Sequence, residues 1–187
     1  MNLPNALTLG RIFLVPLLVV VLLTKFEDRS ILGLRKELVG AAIFGLASIT
    51  DWLDGYLARR RKQITTLGQL MDPLADKLLI TAALISLVQM DLVVAWMAAV
   101  ILGREFAITV LRSLAYARGV VIAASPLGKI KMVAEVTAIL TLIVSEDVQA
   151  LRMPGTVALW IAMLTAVASA VDYYRRFNFV LTTNRRD

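Results

Sequence analysis

The chain has 187 residues, 59% of them hydrophobic, with a mean hydropathy of +0.77; this apolar share exceeds that of a soluble domain and predicts an integral membrane protein. It has no Cys and no His, which excludes disulfides, thiolate nucleophiles, imidazole bases and the usual zinc sites, and leaves a carboxylate, Lys or Tyr to act as any base. Twenty Lys and Arg against fourteen Asp and Glu give +6; no aromatic-basic array accompanies the excess, so it reads as membrane orientation and anionic-lipid contact rather than nucleic-acid binding.

In chain order, hydropathy predicts spans at 6–23, 38–58, 67–88, 92–116, 126–144 and 155–173, each near the ~20 residues needed to cross a bilayer. The expected fold is an all-α integral membrane protein, a six-transmembrane-helix bundle forming one domain over 1–187. The first span lacks a small-residue cleavage pattern and is expected to stay as a helix rather than serve as a signal peptide. Ser125-Pro126 reads as an N-cap with proline at the first helical position, and Ser145-Glu-Asp and Met153-Pro-Gly mark the break before the last span.

Cations set the expected orientation. Arg59, Arg60, Arg61, Lys62, Arg112, Arg118, Lys129, Lys131, Arg175, Arg176, Arg185 and Arg186 would share one side, against Lys25, Arg29, Arg35, Lys36 and Arg152 on the other. Both termini are then expected in the cytoplasm.

The second and third spans carry Asp51, Asp54, Asp72 and Asp76 in otherwise apolar sequence, where an ionised Asp costs at least ~2.5 kcal/mol. Positions 51, 54, 55 and 58 fall within an arc of roughly 100°, and Asp72 and Asp76 are one turn apart. With the second span running toward the cytoplasm and the third away from it, both pairs lie about 6–12 Å from the cytoplasmic ends of their helices. Gly55, Ala58 and Gly68 leave room beside these acidic faces. Carboxylates are the ligands hard divalent cations prefer, and a pair of metals can clamp both sides of a phosphoryl transfer, so Mg²⁺ or Mn²⁺ is the natural candidate. Arg104, Arg112, Lys129 and Lys131 fall in the same half of the membrane. A salt-bridge network of the acids with Arg59 and Lys77, or of Arg104 with Glu105, is the bland alternative. Asn5 and Thr8 could simply cap the first helix, and Lys129 and Lys131, two apart, cannot both face one pocket.

Written as Asp51-x2-Asp54-Gly55-x2-Ala58-Arg59-x8-Gly68-x3-Asp72-x3-Asp76, the motif resembles in full the signature of the CDP-alcohol phosphotransferase family. The opening Asn5-Ala-Leu-Thr8-Leu-Gly-Arg11, the block Gly103-Arg104-Glu105-Phe106 with Leu111-Arg112, and Ser125-Pro-Leu-Gly128-Lys129-Ile-Lys131 are similar to its phosphatidylglycerophosphate synthase branch. After Lys131 the chain departs, reading Met-Val-Ala-Glu135 where the branch usually has Thr and then Gln. The resemblance implies a six-span homodimer holding two divalent cations on Asp51, Asp54, Asp72 and Asp76, with Asp76 also the general base. It implies that Gly55, Ala58 and Gly68 make room for the nucleotide of CDP-diacylglycerol, with Arg59, Asn5 and Thr8 nearby, in a multi-pass protein of the cell (inner) membrane whose site faces the cytoplasm. The implied reaction transfers a phosphatidyl group to sn-glycerol 3-phosphate. An acceptor phosphate asks for cations beyond the metals, for which Arg104, Arg112, Lys129 and Lys131 are the candidates.

Two alternatives stay open. The same chemistry could act on phosphatidylglycerol, as in a cardiolipin synthase, or on an inositol phosphate. A small cation transporter would also place acids at membrane depth, although it would more typically show interrupted helices and an internal repeat, and neither is visible.

Overall fold

The computed structural model describes residues 3–24, 30–31, 33–61, 66–117 and 126–183; the side chains of 3–7, 30, 51–61, 66–70, 72, 126, 176 and 178–183 lie outside the described set. The fold is all-α. Its long helices are α1 (Leu3–Leu23), α2 (Lys36–Arg61), α3 (Thr66–Gln89), α4 (Ala95–Ala117), α5 (Pro126–Ser145) and α6 (Arg152–Thr183). Between α1 and α2 lies a two-residue hairpin, β1 (Ser30–Ile31) and β2 (Leu34–Arg35), paired antiparallel with Ser30 opposite Arg35. Gly33 takes φ 78° in its turn, a conformation open to glycine without a Cβ penalty.

The predicted helices all form, with three shifts of boundary. Residues 91–94 belong to a turn rather than to the start of α4. Asp91 adopts φ 57°, its N–H bonds Val88 O at 3.1 Å, and the Leu92 N–H reaches Leu87 O at 3.0 Å. This is a Schellman termination with Asp in the left-handed position. At the other end, α6 runs past Tyr173 to Thr183. It also starts earlier, so Met153-Pro-Gly lies in its first turn, where a proline needs no helical hydrogen bond, and the break falls at 146–151. Hydropathy misses two short elements among the described residues, the hairpin and a 3-10 turn at Gln149–Leu151 just before α6.

A six-span bundle is a finer statement than the described helices support. One stretch, Gln149–Arg175, is long and apolar enough to cross a membrane by length and composition, and Thr8–Leu23 is a shorter apolar helix. The other helices carry charged residues inside their apolar runs: Asp51, Asp54 and Arg59 in α2, Asp72, Asp76 and Lys77 in α3, Arg104, Glu105 and Arg112 in α4, and Lys129, Lys131 and Glu135 in α5.

Packing places those charges at one end of the bundle. α5 lies along α6, α1 against α2 and α3, α4 against α6, and α2 against α5. The buried core takes Leu18 and Leu22 from late α1, Leu84 and Leu87 from late α3, Ile101 from early α4, Ile139 and Leu142 from late α5, and Leu159 from early α6. Short connections make successive helices alternate in direction. The apolar halves therefore meet at one end, and the opposite halves, which bear the charges, meet at the other.

Two glycines permit the closest approaches. A Cβ on Gly155 of α6 would lie 2.9 Å from Leu142 Cγ and Cδ2 and from Thr141 Oγ1 of α5, and one on Gly40 of α2 would lie 2.5 Å from Leu22 Cδ2. At the apolar end, Arg35 of β2 forms an ion pair with Asp147, joining the hairpin to the α5–α6 connection; this hydrogen-bonded carboxylate raises the guanidinium above its ordinary value.

Candidate active site

The acidic motif spans the end of α2 and the start of α3. Positions 51 and 54 lie in the last turns of α2, 72 and 76 in the first turns of α3, and the two helices pack together across a link at 62–65. One turn before Asp51, Ser48 Oγ donates to Phe44 O at 2.8 Å and Thr50 Oγ1 to Ala47 O at 2.9 Å, so both hydroxyls are occupied within their own helix. Pro73 sits inside α3 between the two aspartates and, lacking an N–H, leaves the carbonyl one turn earlier without its helical donor.

The side chains of Asn5, Asp51, Asp54, Ala58, Arg59 and Asp72, and the surroundings of Gly55 and Gly68, lie outside the described residues. Thr8 is buried on α1. Since α1 begins at Leu3, Asn5 and Thr8 are inside the helix and neither caps it. Asp76 is described and half-buried on α3. Among the described residues no three acidic side chains form a metal-binding group. The donor chemistry at positions 51, 54, 72 and 76, carboxylates one turn apart on each of two helices in contact, fits a hard divalent cation.

The basic candidates separate into two kinds. Lys129 is exposed on α5, whereas Lys131 is buried, as their two-residue offset requires. Lys131 Nζ donates to Glu105 Oε1 at 2.7 Å and to Glu135 Oε2 at 2.5 Å. The same Glu105 oxygen accepts from Arg104 Nη1 at 2.6 Å. Arg104 also donates through Nε to Ala166 O at 3.3 Å and through Nη2 to Ser169 Oγ on α6. A single carboxylate oxygen thus draws together cations from α4 and α5, with α6 holding one of them. Both cations are nearly covered, their side chains 10% and 6% exposed.

One further link ties this cluster to its neighbours, and a separate pair joins α4 to α6. Lys77, next to Asp76, donates to Thr109 Oγ1, whose hydroxyl donates onward to Glu105 O at 2.7 Å. Arg112 donates from Nε at 3.1 Å and Nη2 at 2.6 Å to Tyr173 Oη, with its guanidinium carbon 5.2 Å from the ring centroid. The structure therefore joins Arg104 to Lys131, holds Arg112 separately against Tyr173, and leaves Lys129 outside the cluster.

Sequence reasoning did not single out Ser169, Tyr173, Thr109 or Glu135 as partners. A signal exists for the first two: they lie four apart in α6, which puts both polar groups on one face.

A family model described as CDP-alcohol phosphatidyltransferase matches residues 1–169. The chain is 44% identical over 184 residues to the CDP-diacylglycerol–glycerol-3-phosphate 3-phosphatidyltransferase of Bacillus subtilis, covering 94% of each chain. It is 36% identical over 177 residues to the enzyme of the same name from Rickettsia felis, with 93% of this chain and 94% of that one covered. Against a probable phosphatidylglycerophosphate synthase of Mycobacterium tuberculosis it is 39% identical over 175 residues, covering 94% and 81%. An eight-position acidic motif on two adjoining helices, a buried basic cluster beside it, and likeness along nearly the whole length converge: the chain belongs to the CDP-alcohol phosphatidyltransferase family.

Proposed function

We propose that this enzyme transfers the phosphatidyl group of CDP-diacylglycerol to the primary hydroxyl of sn-glycerol 3-phosphate, giving phosphatidylglycerophosphate and CMP. The observation that carries the reading is the 44% identity to the Bacillus subtilis transferase across 94% of both chains. The acceptor oxygen forms a bond to the phosphorus that bears diacylglycerol, the bond from that phosphorus to the bridging pyrophosphate oxygen breaks, and CMP departs. Asp76 takes the hydroxyl proton. Arg104 and Lys131 hold the acceptor phosphate through their remaining N–H groups, with Arg112 and Lys129 contributing charge nearby. Asn5, Thr8, Gly55, Ala58, Arg59 and Gly68 line the place of the CDP-lipid.

Asp51, Asp54, Asp72 and Asp76 would hold two divalent cations, Mg²⁺ or Mn²⁺, which when bound neutralise pyrophosphate charge. The chain works as a single membrane domain over 1–187, a homodimer with six spans in the cell membrane and its charged end toward the cytoplasm. Large apolar side chains exposed on every helix support the embedding, among them Phe13, Leu46, Ile85, Phe106, Val133 and Leu164.

The test supplies purified protein with CDP-diacylglycerol and a panel of acceptors, and identifies products by mass spectrometry. Release of CMP with glycerol 3-phosphate, abolished by chelation and restored by Mg²⁺ or Mn²⁺, is the expected result. Turnover with an inositol phosphate or phosphatidylglycerol in its place overturns the acceptor. Cation binding without CMP release would make the chain a transporter.

A further inference from the structure

We propose that Glu135 sets the affinity of the acceptor site for a phosphate monoester dianion, by competing with the phosphate for the Lys131 ammonium. The inference rests on the reading of Arg104 and Lys131 as the residues that hold the acceptor phosphate. The two cations face two carboxylates, Glu105 and Glu135, within direct hydrogen-bond distance, so the formal charge of the cluster is zero. Asp76 lies within electrostatic reach of Glu135 and adds a further negative group. A dianion entering such a cluster finds donors but little net attraction. Lys131 keeps one ammonium hydrogen beyond its two bonds, and Arg104 keeps guanidinium hydrogens beyond its three. Phosphate can therefore dock without breaking the pairs, but it must share Lys131 with a carboxylate 2.5 Å from Nζ.

The two acids are not equivalent. Glu105 holds both cations with one oxygen and is partly exposed, its side chain 24% open. Glu135 is 2% exposed, bonds Lys131 alone, and its Oε1 has no hydrogen-bond partner among the described residues. A buried acceptor left without a donor works against stability, while Lys131 is held by Glu105 as well. What it adds to the site is one negative charge.

Glu135→Gln keeps the shape and an acceptor oxygen for Lys131 while removing that charge. KM for glycerol 3-phosphate, and the inhibition constant of inorganic phosphate against it, should fall about 5- to 20-fold, the scale of one like charge removed a few ångströms from a phosphate in a partly buried site. KM for CDP-diacylglycerol should move by less than about twofold. A merely structural role for Glu135 would shift the acceptor KM upward. Glu135→Asp retains the charge and should not lower it, and Glu135→Met gives the same direction as Gln should the Gln variant fail to fold. Lys131→Met separates the two readings. If it raises the acceptor KM while Glu135→Gln leaves KM unchanged or raised, this inference falls and the acceptor site stands. If Lys131→Met leaves that KM unchanged, the acceptor site itself is refuted and the inference with it.

Discussion

Replacing Glu105 with Ala removes an oxygen shared by cations from two helices. The loss comprises charge-assisted hydrogen bonds of 2.6 Å to Arg104 and 2.7 Å to Lys131, each worth about 1.5–3 kcal/mol when buried. The side chain is 24% exposed, which favours the lower figure for each bond. Breaking the centre of a buried network also leaves the cations facing one another with Glu135 as the remaining bonded carboxylate, so the total should be about 3–5 kcal/mol. Glu105→Gln keeps an acceptor oxygen and should cost only about 1–2 kcal/mol. At about 2–4 °C per kcal/mol for a chain of this size, the Ala variant should unfold roughly 6–20 °C lower. Tryptophan fluorescence of the detergent-purified protein follows this directly, because Trp96 of α4 and Trp160 of α6 pack edge to face, 5.9 Å between centroids. An unchanged midpoint in the Ala variant, or equal losses for Ala and Gln, would refute the claim that Glu105 charge binds the helices together.

Tyr173→Phe removes the hydroxyl that accepts both Arg112 bonds but keeps the ring beneath the guanidinium, and the same fluorescence melt should show a loss of about 1–2 kcal/mol. Gly155→Val would drive a branched side chain into Leu142, itself fully buried; the cost should be at least about 1–3 kcal/mol, read as a lower midpoint and faster proteolysis at 146–151. Asp76→Asn should reduce CMP release by at least about 100-fold while the protein purifies with an unaltered helical circular-dichroism spectrum. Near-normal turnover of that variant would remove the proton-acceptor role.

The acidic motif and the six helices are legible in the sequence because each rests on local information. Spacing alone puts Asp51 and Asp54, or Asp72 and Asp76, on one helical face, and apolar runs delimit the helices to within a few residues at most ends. The start of α4 escapes because Asp91, with a Cβ, takes a conformation usually left to glycine. The far end of α6 escapes because Arg175 and Arg176 end the apolar pattern without ending the helix. Partner identities such as Arg104 with Ser169, Arg112 with Tyr173 and Lys131 with Glu135 depend on helix rotation and crossing, which side-chain volume in the core decides. Arg104 and Lys131, expected as cations for an acceptor phosphate, therefore lie in a cluster with Glu105 and Glu135 whose formal charge is zero.

The length of α6 has a consequence for vertical registry. The apolar stretch of 27 residues, Gln149–Arg175, comprises a short 3-10 turn and the α-helix that follows it; the part in α6 measures about 36 Å at the usual rise, more than the ~30 Å of hydrocarbon in an ordinary bilayer, so an embedded α6 must lean over or project. Ser169 and Tyr173, which grip Arg104 and Arg112, sit just before Arg175, whose charge belongs among the lipid headgroups. In a helix so embedded, tilt would act as a ruler: membrane thickness, through α6, would set how far below the headgroups the two arginines lie.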